Sequence, residues 1–181
     1  MRTPRLLLVT AMFLTLAACQ PAEPQESMSP SSVSKAVAVL TSSSGSSVRG
    51  IVTFSEQNGN VTISASLSGL TPGQHGFHIH EWGNIDCGDG MCTGSHYNPT
   101  GSEHGDIDAT QRHAGDLGNI EADANGNATF QRTIGDLSLN GPHSPIGRAI
   151  VLHANKDDLS QPTGNAGGRV AYGVIGISEM Q

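Results

Sequence analysis

The segment VRGIVTFSEQNGNVTISASLS, residues 48–68, decides the fold class of this chain. Its second half alternates over residues 61–68, with Val61, Ile63, Ala65 and Leu67 on one side and hydroxyl side chains on the other. A period of two residues is typical of a β-strand with one buried face. The run at residues 48–56 is also strand-like, and Asn58-Gly59 between the runs is a tight-turn signal. The segment therefore predicts an antiparallel β-hairpin.

Similar runs continue on both sides of this hairpin. The predicted strands are residues 35–40, 48–56, 60–68, 75–80, 119–123, 128–133, 149–153 and 169–177. No convincing amphipathic helix interrupts them. The sequence therefore predicts an all-β domain, an antiparallel sandwich or barrel of about eight strands. Two connections, residues 81–115 and 154–168, are much longer than most loops, and loops of such length usually serve a function.

Composition narrows the class of function. The chain has 181 residues, enough for one domain with a substantial core, and it shows no internal repeat. Its 23 glycines and 14% charged residues suit a β-rich protein with many tight turns. Only 4% of the residues are aromatic and the formal net charge is -7, so nucleic acid is not the expected partner. Such binding relies on base stacking and on basic contacts to phosphate.

The N-terminus resembles a bacterial export signal. Arg2 and Arg5 precede an apolar run at residues 6–18, which is too short to span a bilayer. The run ends in Leu16-Ala17-Ala18-Cys19, which resembles the bacterial lipobox, where the cysteine becomes the lipid-bearing first residue. The alternative is an ordinary signal peptide with a chance cysteine. We expect a lipoprotein signal peptide over residues 1–18 and a lipid on Cys19.

The residues after Cys19 extend this expectation. Gln20, rather than Asp, follows the cysteine, which in such lipoproteins usually indicates the outer membrane. Residues 19–34 are rich in Pro, Ser and Glu and predict a disordered tether, which leaves a domain over residues 35–181. The expected location is the periplasmic face of a bacterial membrane, the outer membrane, with the lipid as the only membrane contact.

Metal-binding side chains are concentrated in and beside the first long loop. The candidate ligands are His78, His80, His96, His104, His113, Asp116 and His153. His78 and His80 are two residues apart, so in a strand they point to one face. Three histidines and a carboxylate suit tetrahedral zinc, and a second imidazole cluster suits copper. His75 is expected to hydrogen-bond the metal loop instead, and His143, in a turn-rich stretch, to be exposed.

Five ordered motifs resemble those of the Cu,Zn superoxide dismutases. They are GFHIHEWG at 76–83, GSHYNP at 94–99, RHAGDLGNI at 112–120, GRAIVLHANKDDL at 147–159 and GNAGGRVAYGVIGI at 164–177. The resemblance spans residues 35–178. It implies an eight-stranded antiparallel Greek-key β-barrel, an immunoglobulin-like sandwich with two long functional loops. It also implies an enzyme that dismutates superoxide to oxygen and hydrogen peroxide.

The resemblance assigns a role to each matching residue. Copper would be held by His78, His80, His96 and His153, and zinc by His96, His104, His113 and Asp116. His96 would bridge the two ions as an imidazolate. Arg169 would guide the anion to copper, and Asp157 would link one copper histidine to one zinc histidine. The positive field near copper would come from Arg169, Lys156 and the metals, because the second loop lacks a cluster of charged steering residues.

Two other functional classes compete with this interpretation. A non-catalytic periplasmic copper- and zinc-binding module would need the ligands but neither Arg169 nor a bridging histidine. A zinc hydrolase would need an open zinc position and a general base, whereas the expected zinc set has four protein ligands. Dismutation needs a metal that cycles by one electron, which copper does and zinc does not. In the family, zinc holds the far nitrogen of the bridging histidine.

The cysteines depart from the family pattern. The family joins a cysteine of the first metal loop to one near the C-terminal strand, and Tyr172 occupies that second position here. In an oxidising compartment Cys87 and Cys92 are expected to pair with each other through a turn at residues 88–90, although two free thiols are the alternative. Tyr172 is expected to pack under the loop and to hydrogen-bond its backbone through the phenol.

Assembly is less clearly indicated. Trp82-Gly83, Ile146-Gly147 and Gly176-Ile177 match positions of the two-fold interface in the eukaryotic-type dimers of the family. Exposed Trp and Ile on a sheet face predict a homodimer surface, and edge packing in a monomer is the alternative.

Overall fold

The computed structural model describes residues 32–43 and 45–178. The predicted signal peptide, Cys19 and all but the last three residues of the predicted tether lie outside the described residues. Contacts with the domain begin slightly before the predicted boundary. Val33 packs against the core, and its N–H and C=O are both hydrogen-bonded to the Asn140 side chain at 2.8 Å.

The described residues form nine strand segments. They are β1 (Lys35–Ser42), β2 (Arg49–Gln57), β3 (Asn60–Ser68), β4 (Gly73–His80), β5 (Asp116–Ala122), β6 (Ala128–Ile134), β7 (Ala149–His153), β8 (Arg169–Val174) and β9 (Gly176–Ile177). Both β8 and β9 pair with β1, and only Ile175 separates them, so together they make the eighth strand of the barrel. Within the described ranges, no helix is long and apolar enough to cross a membrane.

The sheet closes on itself. Its order is β2-β3-β6-β5-β4-β7-β8-β1-β9, and β1 also pairs with β2, so no long edge is left open. All strand pairs are antiparallel. The neighbours β3 and β6, and likewise β4 and β7, are not consecutive in sequence, which is the Greek-key pattern. The predicted all-β, eight-stranded, antiparallel Greek-key barrel is confirmed.

The barrel interior is filled by the alternate residues of its strands. In β3 the buried positions are Val61, Ile63, Ala65 and Leu67, as the alternation predicts. The largest fully buried apolar side chains are Phe54, Ile63, Phe77, Ile79, Leu117, Ile120, Leu139, Ile150, Leu152 and Ile175. The Phe77 and Phe130 rings meet edge to face with their centroids 5.3 Å apart, a favoured aromatic geometry.

Strands β4 and β7 are buried on both faces, and this property positions the functional side chains. Phe77 and Ile79 face the core, whereas His78 and His80 point to the opposite side, which is also buried. The two long loops begin and end at the predicted positions, since β4 ends at His80, β5 begins at Asp116, β7 ends at His153 and β8 begins at Arg169. Five candidate site residues therefore stand on strands next to the loops.

Candidate metal centre

Four buried histidines form a first group outside the barrel wall. This four-histidine group consists of His78, His80, His96 and His153, and one ring nitrogen of each lies within 4.8 Å of those of the others. His78 and His80 come from β4, and His153 ends β7. His96 belongs to the first loop, where an isolated antiparallel bridge pairs its backbone with that of His80. Backbone pairing of β4 with β7 and with the first loop thus brings the four histidines together.

In His78, His80 and His153 one ring nitrogen has a hydrogen-bond partner in the protein, which leaves the other ring nitrogen to bind a metal. His78 Nε2 lies 2.8 Å from an Asp157 oxygen, and its Nδ1 is buried with no hydrogen-bond partner among the described residues. The Nδ1 atoms of His80 and His153 lie 2.9 and 3.2 Å from backbone carbonyl oxygens. Their Nε2 atoms face each other at 3.2 Å. This arrangement fits a cation between the rings.

A second group is mixed. This mixed group consists of His96, His104, His113 and Asp116, again with one ligand atom of each within 4.8 Å of the others. One Asp116 oxygen lies 2.8 Å from His96 Nδ1 and 3.2 Å from His113 Nδ1, and the other lies 3.0 Å from His104 Nδ1. His104 Nδ1 is buried and, within the described residues, makes no contact with hydrogen-bond geometry. Three imidazoles and a carboxylate are a closed tetrahedral zinc set.

His96 belongs to both groups. Its ring centroid lies 4.0 Å from that of His78 on one side and 5.2 Å from that of His104 on the other. Because its Nδ1 faces Asp116, its Nε2 is left for the four-histidine group. The ring is only 3% exposed, so water does not compete for either nitrogen. One imidazole therefore connects the two groups.

Asp157 is a second connection between the two groups, in addition to His96. Its two carboxylate oxygens lie 2.8 Å from His78 Nε2 and 3.0 Å from His104 Nε2. Its backbone N–H and C=O are in turn hydrogen-bonded to the Asn119 side chain, at 2.8 and 3.0 Å. Asp157 therefore holds both Nε2 atoms as N–H donors and leaves both Nδ1 atoms for metals.

The electrostatics favour the metal-binding forms of His78, His153 and Asp116, but not that of His104. Burial lowers the pKa of His78 to about 4 and that of His153 to about 3, so both imidazoles are neutral at pH 7. Burial opposes ionisation of Asp116, but hydrogen bonds from His104 and His96 outweigh it and hold the pKa of Asp116 far below its usual range. Burial also opposes the charge on His104, yet Asp116 and Asp157 raise its pKa to about 9. A cation in the mixed group therefore displaces a proton from His104.

A cavity of about 310 Å³ opens onto the four-histidine group. It is lined by His80, His96, His153, Met91, Gly94, Ser95, Thr163, Asn165, Ala166, Gly167 and Arg169. Among the residues that the structure describes, Arg169 is the only Lys or Arg in this lining. Lys156, an expected second source of positive charge, lies in a different groove beside Asp106, Asp108 and Asp158. The structure thus leaves Arg169 as the cationic side chain at the cavity.

Arg169 is held by the first loop. Its guanidinium donates to the carbonyl oxygens of Gly90 and Gly94, both at 2.6 Å, and to the Thr93 hydroxyl at 2.9 Å. The Gly94 carbonyl also accepts a hydrogen bond from His80 Nδ1. The Gly94 carbonyl therefore helps to orient both Arg169 and the candidate ligand His80.

The first loop contains the predicted disulfide. Cys87 and Cys92 are bonded, with their Cα atoms 6.0 Å apart, on either side of the turn that leads into a 3-10 helix (Met91–Thr93). The Tyr172 hydroxyl, on β8, donates to the Cys87 carbonyl oxygen at 2.5 Å. The Tyr172 ring packs against Gly90, where φ is +74° and a Cβ would lie 2.7 Å from the ring. Tyr172 thus joins the loop to the barrel without a covalent bond.

Two histidines lie outside both groups. His75 is buried, and its Nδ1 lies 2.8 Å from the backbone oxygen of His153, so the bond expected with the metal loop is made with the end of β7. His143 is exposed in a loop. Two further residues of the site were not predicted, Asn119 and Gln161, which contact the backbones of Asp157 and His104. Asn119 lies in the RHAGDLGNI motif, whereas nothing in the sequence distinguishes Gln161 from other polar loop residues.

Comparison with known proteins agrees with two metal groups that share a histidine. The copper/zinc superoxide dismutase (SODC) family matches residues 48–175. The chain belongs to this family. It is 48% identical over 151 residues to the Cu-Zn superoxide dismutase 2 of Brassica juncea, which covers 79% of this chain and 97% of that protein. A solved structure of the clock protein EA4 superposes with a TM-score of 0.75 at 44% identity, over 81% of this chain and 96% of the other.

Proposed function

We propose that this member of the copper/zinc superoxide dismutase family converts superoxide to oxygen and hydrogen peroxide. His78, His80, His96 and His153 would hold copper, and His96, His104, His113 and Asp116 would hold zinc. Copper bound there supplies the one-electron cycling that the reaction needs, which zinc does not provide. The observation that supports this proposal most strongly is the single imidazole of His96 between the two groups.

The chain's own residues would supply the remaining requirements. His96 has one nitrogen in each group, so its Nε2 can hold and release a proton while Nδ1 stays in the mixed group. Arg169 lines the cavity with a charge that persists at all relevant pH values, and it attracts a small anion. His80 and His153 are buried side chains that line this cavity, so a small anion in the cavity lies next to them.

The two alternatives explain less of the site. A non-catalytic metal-binding module would need no cationic side chain in the cavity at the four-histidine group, and Arg169 lines that cavity. A zinc hydrolase would need an open ligand position, and the mixed group already offers four protein ligands. Both alternatives also leave the sharing of His96 without a purpose.

Metal analysis and a dismutation assay on His96→Ala test the proposal. The wild type should contain one copper and one zinc per chain and dismutate superoxide, and the variant should lose activity together with zinc affinity. His143→Ala is the matched control, because that histidine is exposed and belongs to neither group. Near-normal dismutation by His96→Ala would refute the two-metal site.

We also propose that the protein is an exported bacterial lipoprotein, anchored through Cys19 at the periplasmic face of the outer membrane. The basic residues, the short apolar run and the Leu-Ala-Ala-Cys sequence support this proposal, as does a disulfide in the domain. Cys19→Ser should move the protein from the membrane fraction to the soluble periplasmic fraction with its dismutase activity intact. A wild type that fractionates as soluble protein would contradict the anchor.

For assembly, we propose a homodimer whose interface includes Trp82 and Ile177. Trp82 is 59% exposed and Ile177 is 65% exposed, and large exposed apolar side chains often mark a partner surface. Sedimentation of the wild type should give a dimer mass, and Trp82→Asp should give a monomer. A monomeric wild type at high concentration would refute this assembly.

A further inference from the structure

Gln161 makes a two-point contact between the two long loops. The N–H of His104 donates to the Gln161 side-chain oxygen at 3.0 Å, and the Gln161 amide nitrogen donates to the His104 carbonyl oxygen at 2.8 Å. The two residues are 57 positions apart in the chain. A carboxamide can satisfy a backbone N–H and a C=O together, because it offers both an acceptor and a donor.

The main chain of His104 has particular need of such a contact. Residue 104 lies outside every strand, so no sheet neighbour fixes its backbone. Its imidazole is buried between two carboxylates, with Nδ1 3.0 Å from Asp116 and Nε2 3.0 Å from Asp157. These contacts orient the ring, but the depth at which the ring enters the mixed group depends on where the backbone is held.

We infer that Gln161 is a positioning residue of the mixed group, an inference that rests on the proposed binding of zinc there. The second loop reaches His104 by two routes. Asp157 holds the far ring nitrogen, and Gln161 holds the main chain. Gly164 allows both, because it lies so close to Asp157 and His104 Nε2 that any side chain there would overlap them. Retention of zinc therefore depends on the second loop as well as on the first.

The rate of zinc release from the loaded protein to a chelator tests this inference. Gln161→Ala should release zinc about ten-fold faster than the wild type, the lower end of the effect seen when a contact behind a metal ligand is removed. Gln161→Glu should not restore slow release, because it places a carboxylate oxygen against the His104 carbonyl. The visible spectrum of cobalt bound in place of zinc should lose intensity in both variants, because the tetrahedral geometry relaxes.

Asn140 provides a matched control. Its carboxamide makes the same two-point contact, with both backbone groups of Val33 at 2.8 Å, and neither residue belongs to a metal group. Asn140→Ala should lower the melting temperature without changing zinc release or the cobalt spectrum. Zinc release at the wild-type rate from Gln161→Ala, or equal acceleration by Asn140→Ala, would overturn the inference. A wild type that binds neither zinc nor cobalt would instead refute the proposed zinc site itself.

Discussion

Replacing Tyr172 by phenylalanine should destabilise the first metal loop by a small, measurable amount. The change removes one hydrogen bond, from the phenol to the Cys87 carbonyl oxygen, and keeps the ring that packs against Gly90. A hydrogen bond of this kind contributes about 1 kcal/mol net. For a domain of this size that free energy corresponds to a fall in melting temperature of roughly 2–4 °C.

The chain contains its own control for this experiment. It has two tyrosines, and the hydroxyl of the other, Tyr97, is buried with no hydrogen-bond partner among the described residues. Tyr97→Phe should therefore leave the melting temperature of the metal-loaded protein almost unchanged. If calorimetry finds Tyr172→Phe no more destabilising than Tyr97→Phe, the reasoning about the loop is wrong.

A double-mutant cycle shows whether the disulfide and the Tyr172 hydrogen bond stabilise the first loop together or independently. The bridge between Cys87 and Cys92 closes a short loop, so its removal should cost about 2 kcal/mol in the chain-entropy model. Tyr172 binds the carbonyl of Cys87 itself, so its hydrogen bond should be worth less once the loop is no longer constrained. We expect a coupling of at least ~0.5 kcal/mol between Tyr172→Phe and paired Cys→Ser changes, and strict additivity would show that they act independently.

Three further predictions concern the metal centre. Arg169→Gln, whose amide can still donate to the loop carbonyls, should keep both metals but slow dismutation about ten-fold or more, and added salt should then lower the rate less than in the wild type, as stopped-flow assays at varied ionic strength can show. Asp157→Asn should weaken metal retention about 10- to 100-fold in competition with a chelator, because the amide cannot accept from two N–H groups as the carboxylate does. The metal-free protein should lose stability as the pH falls from about 6.5 towards 4, because the unfolded chain then binds more protons than folded His78 and His153, whose pKa values are lowered. His104, with its raised pKa of about 9, acts in the opposite sense and loses its stabilising effect as the pH rises above 6.5, so urea titrations should find a maximum near neutral pH.

The fold could be predicted from the sequence because its signal is local. Alternation in β3 requires only that one face be buried, and the structure buries the same four residues. Both long loops begin where predicted, because the apolar runs end abruptly at His80 and His153, whereas β5 begins at Asp116, three residues before the predicted strand start at Asn119. The interruption of the last strand at Ile175 was not predicted. Ile175 bonds through its backbone to residues 147 and 148, which continues the antiparallel register of β7 and β8 beyond the ends of both strands.

The site was predictable only as far as residue type and motif determine it. Seven imidazole and carboxylate ligands are distinctive enough to be recognised by type and spacing, and they lie in two groups. The contacts that hold them are made by ordinary amides and carbonyls, such as Asn119 to Asp157 and Gly94 to His80. Their roles follow from the crossing of two loops that are far apart in sequence. Lys156 lines a groove other than the cavity at the four-histidine group, and its place in the sequence does not indicate which of the two it lines.

The charge distribution implies that guidance of the substrate is short-ranged. The chain has a net charge of -7, which repels an anion, and within residues 32–43 and 45–178 Arg169 is the only Lys or Arg in the cavity lining. At physiological ionic strength exposed charges are screened beyond about 8 Å, so the distant acidic residues count for less than one cation at the cavity. The three hydrogen bonds to the first loop hold that cation in place at little entropic cost when an anion arrives. Anything that loosens this loop should therefore weaken anion attraction before it disturbs the metals, and azide inhibition of the Tyr172→Phe variant should show this as a raised inhibition constant at unchanged metal content.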